Sequence, residues 1–134
     1  MIAGIFHQGS GLGDQLHRYI TVRTLAEGKG YEWGMVNSSS FKGNSFMNID
    51  YGSPIPLDGM NSWFEKETIE NGVDIRSYDP EINFVQDNTV IDGSFEDEKY
   101  WGHNLRNIRE WLQVEPLIPP DDTCVIGFRG GEFA

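Results

Sequence analysis

A glycine-rich segment near the start of the chain has the composition of a ligand-binding loop. Residues 7–19 read HQGSGLGDQLHRY and follow the short apolar run 2–6. Glycines at positions 9, 11 and 13 carry no Cβ, so another molecule can come close to the backbone N–H groups of this loop. A helix that begins there adds the positive end of its dipole. The chemistry that this pattern indicates is the binding of an anionic group.

Two well-known phosphate-binding motifs fit this loop poorly. A Walker A loop needs Gly-Lys-Ser/Thr at the start of the helix, whereas this chain has Gly13-Asp14-Gln15 there. A dinucleotide fingerprint needs a third glycine where Asp14 stands, and an acidic residue where the second predicted strand instead ends at Asn37. A plain turn between strand and helix is therefore an alternative use of these glycines.

The other residue types with chemical potential are scattered. His7, His17 and His103 show no metal-ligand spacing with one another or with the single cysteine, Cys124. We expect the histidines to have structural or surface roles. One cysteine excludes an internal disulfide and a cysteine-based metal cluster. The sequence thus assigns no metal ligand and no catalytic residue.

Composition and charge restrict the class of protein. The chain has 134 residues, which suits a single domain, and 38% of them are hydrophobic. Ten basic residues stand against 21 acidic ones, for a formal charge of −11, which argues against nucleic acid as a partner. No apolar run reaches the roughly 20 residues that span a bilayer. The N-terminus also lacks the features of a signal peptide, so we expect a cytoplasmic location.

The periodicity of apolar residues predicts an α/β domain with a Rossmann-like parallel sheet. A strand, the glycine loop, a helix and a second strand form a β-loop-α-β unit, in which Asp14 is an N-cap or first-turn residue. The predicted elements are strand 2–6, helix 14–27, strand 31–36, a short helix 63–71, strand 89–95, helix 96–113 and strand 123–128. Residues 37–62 are expected to be irregular but ordered by aromatic anchors.

Three segments resemble one family of enzymes. SGLGDQLHRY at 10–19 resembles the Gly-Gly-Leu-Gly-Asn-Gln-Met/Leu-Phe-Gln-Tyr opening of the α-1,2-fucosyltransferases. DGSFEDEKYW at 92–101 is similar to their Gly-Tyr-Phe-Gln-Ser-Glu-Lys-Tyr-Phe segment. VIGFRGGEF at 125–133 resembles their His-x-Arg-Arg-x-Asp strand and loop. The matches occur in the order that they have in the family.

The resemblance implies a glycosyltransferase of the GT-B type. Such an enzyme transfers fucose from GDP-fucose to a sugar hydroxyl with inversion and requires neither a metal nor a cofactor. Arg129 takes the position that meets the donor pyrophosphate, a task suited to a bidentate guanidinium. The implied donor-binding residues are Gly11, Gly13, Asp14, Gln15, Arg129 and Glu132. The chain differs from the family pattern at Asp14, Gly127, Gly130 and Glu132, and these changes predict weaker donor binding.

The same resemblance implies an incomplete enzyme. A GT-B fold has two Rossmann-like domains, and we expect this chain to be part of the N-terminal one, inactive in transfer by itself. Its expected partners are a sugar nucleotide and a glycan acceptor, and an exposed edge of the sheet would allow a homodimer. Two alternatives stay open, a non-catalytic module that binds a sugar nucleotide or a glycan, and a plain structural α/β domain.

Overall fold

The first three elements form the predicted β-loop-α-β unit. The computed structural model describes residues 1–114 and 118–127. Strand β1 (Ile2–Ile5) pairs in parallel with β2 (Trp33–Val36), and helix α1 (Leu12–Lys29) connects them. Helix α1 is longer than predicted at both ends, because it begins at Leu12, between the second and third glycines of the loop, and continues to Lys29. It ends at Gly30, whose φ of 72° places it in the left-handed region that glycine tolerates.

Four parallel strands build the sheet. Strands β3 (Asn61–Phe64) and β6 (Thr89–Asp92) join the first pair in the order β2-β1-β6-β3. The prediction of a mixed α/β domain with a Rossmann-like parallel sheet is confirmed. Within the described part of the chain, no helix is both long and apolar enough to cross a bilayer.

The irregular stretch after β2 packs on the sheet, as predicted. Phe6 packs against Phe41 and Tyr51, with ring centroids 4.9 and 6.0 Å away, and those two rings also contact each other. The amide of Met35 donates to the carbonyl of Tyr51 at 3.0 Å, so this stretch also covers the β2 edge of the sheet. These contacts give residues 37–60 an ordered path whose only helix is the short 3₁₀ helix Ser38–Ser40, and the last two residues of the predicted irregular stretch instead begin strand β3.

The predicted helix at 63–71 is wrong. Strand β3 occupies its beginning, because Trp63 lies against Phe95 with ring centroids 6.4 Å apart and planes nearly parallel. A small hairpin, β4 (Ile69–Glu70) and β5 (Val73–Asp74), follows it. Asn71 and Gly72 form the two-residue turn with φ values of 52° and 77°. An Asn-Gly pair is the preferred sequence for such a turn.

The predicted helix at 96–113 is only partly correct. It divides into two 3₁₀ segments, Glu98–Tyr100 and Gly102–Asn104, and helix α2 (Leu105–Trp111). Trp101 interrupts it with a φ of −139°, and its indole N–H donates to the carbonyl of Phe95 at 3.1 Å. The hydrogen bond of this indole N–H and the burial of the Tyr100 ring both favour a break in the helix.

The predicted strand at 123–128 is absent over residues 123–127, and residue 128 lies outside the described range. Strand β3 instead forms the open edge of the sheet, where the side chain of Phe64 is 69% exposed. The expected homodimer stays a prediction, and the edge that would mediate it is β3.

Candidate functional site at the carboxyl edge of the sheet

The carboxyl ends of β1 and β6 meet at the centre of the sheet. The chain runs from β1 outward to β2 on one side, and it reaches β6 from β3 on the other side. Such a reversal of strand order leaves a crevice outside the carboxyl ends of the two central strands, where open α/β sheets usually bind ligands. The glycine loop follows β1 directly, so it borders this crevice.

The glycines of the loop are required by neither backbone conformation nor packing. A Cβ added to Gly9, Gly11 or Gly13 would meet nothing within 4 Å, and none of the three has a positive φ. Gly11 is the N-cap of α1, with φ −71° and ψ 168°. A residue with a side chain could adopt this conformation, so the turn by itself does not require glycine here. Because these glycines lack side chains, there is open space beside the backbone amides of the loop.

Gln15 fastens the loop to the rest of the domain. Its side chain is fully buried, and its Nε2 donates to the carbonyls of His7 (3.1 Å) and Ser40 (2.9 Å). Its Oε1 accepts from the amide of Lys42 at 2.8 Å. A ligand would have to break these bonds to reach Gln15. Its predicted contact with a donor stays a prediction, while the structure gives it a role in holding the loop.

A histidine, an aspartate and an arginine connect the loop to β6. The Nε2 of His7 lies 2.9 Å from Oδ2 of Asp92, the last residue of β6. Arg18 approaches the other carboxylate oxygen with Nε at 3.3 Å, and its Nη1 donates to the hydroxyl of Ser10 at 2.9 Å. The amide of Gly93 also donates to Asp92, at 2.9 Å. Asp92 is therefore the common acceptor that fixes both the imidazole and the guanidinium.

A polar cavity, here called the edge cleft, opens beside this cluster. Its volume is about 260 Å³. Four carboxylates and three cationic side chains line it, together with the turn that follows β6. Arg76 pairs with Glu96 at 2.6 Å on its far side, and this pairing raises the pKa of the guanidinium further. The lining residues are Asp14, Arg18, Glu65, Lys66, Glu67, Asp74, Arg76, Gly93 and Ser94.

Glu65 shapes the floor of the edge cleft. Its Oε1 accepts from the amide and the hydroxyl of Ser94, both at 3.1 Å, and from the amide of Phe95 at 3.3 Å. Its Oε2 is buried without a hydrogen-bond partner. Phe95 has a φ of 50°, so the carboxylate holds this turn in an uncommon conformation. The buried carboxylate lies near the hydroxyl of Tyr100, whose pKa it raises, so Glu65 has a structural role beneath the cleft.

The structure brings some of the predicted residues together and leaves others outside its description. Gly11 is the N-cap of α1, Gly13 and Asp14 lie in its first turn, and Asp14 lines the edge cleft. The predictions for Arg129 and Glu132 fall outside the described residues.

Sequence reasoning did not find three of the residues at this edge, His7, Arg18 and Asp92. For Arg18 a signal was present, because it lies four residues after Asp14 and therefore on the same face of α1. His7 and Asp92 are 85 residues apart in the chain and meet only because β1 pairs with β6.

No metal centre accompanies this cluster, since the described residues contain no group of three histidine, cysteine or carboxylate side chains that could hold an ion. Protein-family models, curated proteins and solved structures were all compared with the chain, and none of them matches it.

Proposed function

We propose that this chain is a fucosyltransferase-like domain whose edge cleft holds a sugar. One observation carries the proposal. A glycine loop that neither packing nor backbone conformation requires lies where the strand order reverses, and Asp14 and Arg18, on the helix that follows it, line a charged cleft. The resemblance of residues 10–19 and 92–101 to the fucosyltransferases adds the class of ligand, because both segments contribute residues to this edge.

The charges of the edge cleft suit a sugar better than a diphosphate. Four carboxylates outnumber three cations, and Arg18 and Arg76 are already engaged with acidic partners. Such a lining repels a dianion but offers alternating acceptors and donors to hydroxyl groups. The volume is below the roughly 300–1,000 Å³ of pockets for larger ligands. A single sugar ring is the ligand that fits this size and polarity.

His7 does not line the edge cleft, but it shares Asp92 with Arg18, which does, and we propose it as the group that takes a proton from a sugar hydroxyl. A neutral imidazole that donates from Nε2 to Asp92 keeps a lone pair on Nδ1, and this atom forms no hydrogen bond with the described residues. The side chain is 39% exposed, so a hydroxyl can reach it. In transfer, that proton would pass to Nδ1, the hydroxyl oxygen would bond to the fucose C1, and GDP would leave as the C1–O bond breaks.

Calorimetric titration with GDP-fucose and with GDP tests the proposal. We expect GDP-fucose to bind more tightly than GDP, since the fucosyl group would occupy the edge cleft. Arg18→Gln should weaken GDP-fucose about tenfold, in line with the loss of one charged hydrogen bond. Arg106→Gln, an exposed position on α2, is the matched control and should change nothing. Equal affinities for the two ligands, unaffected by Arg18→Gln, would contradict the proposal.

A further inference from the structure

A second cavity, here called the lysine cavity, lies away from the edge cleft. Its volume is about 370 Å³, and none of its lining residues lines the edge cleft. It forms between the C-terminal half of α1 and the segments around Tyr78 and Tyr100. Asp14 and Lys29 are separated by about 20 Å along the helix, at a rise of about 1.5 Å per residue. The two cavities therefore cannot share one small ligand.

The charge of the lysine cavity is opposite to that of the whole chain. The sequence has 21 acidic and 10 basic residues, yet no aspartate or glutamate lines this cavity. Lys29, Lys99 and His103 do line it. A concave site lined by one sign of charge focuses its field and concentrates ions of the opposite sign. The lysine cavity is thus a local region of positive charge that attracts anions, on a protein that is acidic as a whole.

Hydrogen bonds orient further donors toward the lysine cavity. The Nζ of Lys29 donates to the carbonyl of Asn83 at 2.8 Å. This bond fixes the ammonium and leaves its two other protons free to donate to a ligand. The Nδ2 of Asn83 donates to the hydroxyl of Tyr78 at 2.8 Å. Thr24 accepts in the same way from the side chain of Asn104 at 3.1 Å. The hydroxyl protons of Tyr78 and Thr24 are then available to a ligand, since neither donates to another described residue.

The remaining lining favours an anion that carries a compact apolar body. Leu25, Ile82 and the rings of Tyr78 and Tyr100, whose centroids are 4.8 Å apart, form one wall. The negative end of the α1 dipole is partly satisfied, because the carbonyl of Ala26 accepts from the amides of Gly30 and Tyr31. The carbonyl of Glu27 also accepts from the amide of Gly30, so two carbonyls of the last turn are engaged, and Lys29 places its charge at this end of the helix.

We propose that the lysine cavity binds a small phosphate monoester with an aromatic or aliphatic body. Lys29 and Lys99 neutralise the phosphate, Tyr78 and Thr24 donate hydrogen bonds to its oxygens, and the tyrosine rings contact the body. This site is independent of the edge cleft and of the proposed transferase function.

Titration with phenyl phosphate, inorganic phosphate and phenol, followed by amide NMR shifts, tests this site in the full chain. Phenyl phosphate should shift the amide of Gly28 and bind better than inorganic phosphate, and phenol should bind least. Lys29→Gln should weaken phenyl phosphate about tenfold, because one charged donor is lost while a polar side chain of similar reach remains. Lys42→Gln, an exposed lysine elsewhere, should leave the affinity unchanged.

Three outcomes would overturn the proposal. These outcomes are equal affinities for phenol and phenyl phosphate, a loss of binding in Lys42→Gln as large as that in Lys29→Gln, and no amide shift around this cavity with phenyl phosphate. If Lys29→Gln fails to fold, Lys99→Gln replaces it, since that exposed side chain forms no hydrogen bond with the described residues. Unchanged affinity in the Lys99→Gln variant would then count against the site.

Discussion

His7 and Asp92 join the ends of the two central strands through a bond of 2.9 Å between Nε2 and Oδ2. The pair unites a residue that follows β1 with the last residue of β6, and Arg18 shares the same carboxylate. The backbone of His7 is fixed as well, because its carbonyl accepts from the amide of Ser10 and from the side chain of Gln15. The backbone and the imidazole of His7 are thus both held in place at the carboxyl edge of the sheet.

The tautomer of His7 depends on Asp92. The carboxylate accepts from Nε2, so we expect the neutral ring to carry its proton there. Asp92→Asn should produce a mixture of tautomers, because an amide can also donate to the ring. The nitrogen chemical shifts of the imidazole report this directly, and those of His103 serve as the internal control. A wild-type ring protonated mainly on Nδ1 would contradict the assignment of that atom as the proton acceptor.

Gln15 should matter for stability because it is buried and fully bonded. Gln15→Leu removes three hydrogen bonds and leaves the carbonyl of Ser40 and the amide of Lys42 without this partner. We expect a loss of about 3 kcal/mol in the free energy of unfolding, measured by urea denaturation. Gln86→Leu, at an exposed position, should stay within about 0.5 kcal/mol of the wild type. Similar losses in the two variants would show that Gln15 does not hold the loop.

Replacing two glycines by alanine should change the free energy of unfolding in opposite directions. Gly72 has a φ of 77° in the β4–β5 turn, so Gly72→Ala should destabilise the protein by about 1 kcal/mol. Gly28 lies inside α1 with open space around it, and Gly28→Ala should stabilise by about 0.5–1 kcal/mol. Urea denaturation of both variants checks the pair. A gain in stability for Gly72→Ala would contradict the left-handed conformation of Gly72 in this turn.

Buried tyrosines should make the protein sensitive to alkali. Burial raises the pKa of Tyr19, Tyr51 and Tyr100 above the ordinary value of 10.0, and Tyr100 is affected most, with a further contribution from Glu65. The unfolded chain therefore releases these protons first as the pH rises. Stability should be complete below about pH 10 and fall progressively above it.

Denaturation curves at several pH values around 10 measure this slope. Tyr100→Phe should reduce it, because that group no longer titrates in either state. Tyr31→Phe, at a tyrosine near the surface, should retain the wild-type slope. A slope that Tyr100→Phe leaves unchanged would rule out Tyr100 as a source of the alkaline sensitivity.

The sequence predicts the first half of the sheet well because the information there is local. Apolar spacing marks α1, and the glycine loop marks its start, so β1, α1 and β2 follow from neighbouring residues. Asp14 was correctly placed in the first turn as one of two options. The hairpin β4–β5 was also signalled, by Asn71-Gly72, but the weak apolar pattern around it favoured a helix instead.

The candidate site could be predicted only in part. The glycine loop stands out in the sequence, whereas the His7–Asp92 pair depends on which strands become neighbours. Strand β3 takes the place beside β6 through the packing of Trp63 on Phe95, a contact between residues distant in the chain. Only the three-dimensional pairing shows that three side chains, those of His7, Arg18 and Asp92, meet at one edge.

The most direct test of the sugar site is a titration with GDP-fucose, observed through the amide NMR signals of the glycines. We predict that the signals of Gly9, Gly11, Gly13 and Gly93 shift together and with one dissociation constant, while that of Gly59 stays in place. If GDP-fucose at millimolar concentration leaves the three loop glycines unmoved, the loop does not border a sugar site and the proposed function is wrong.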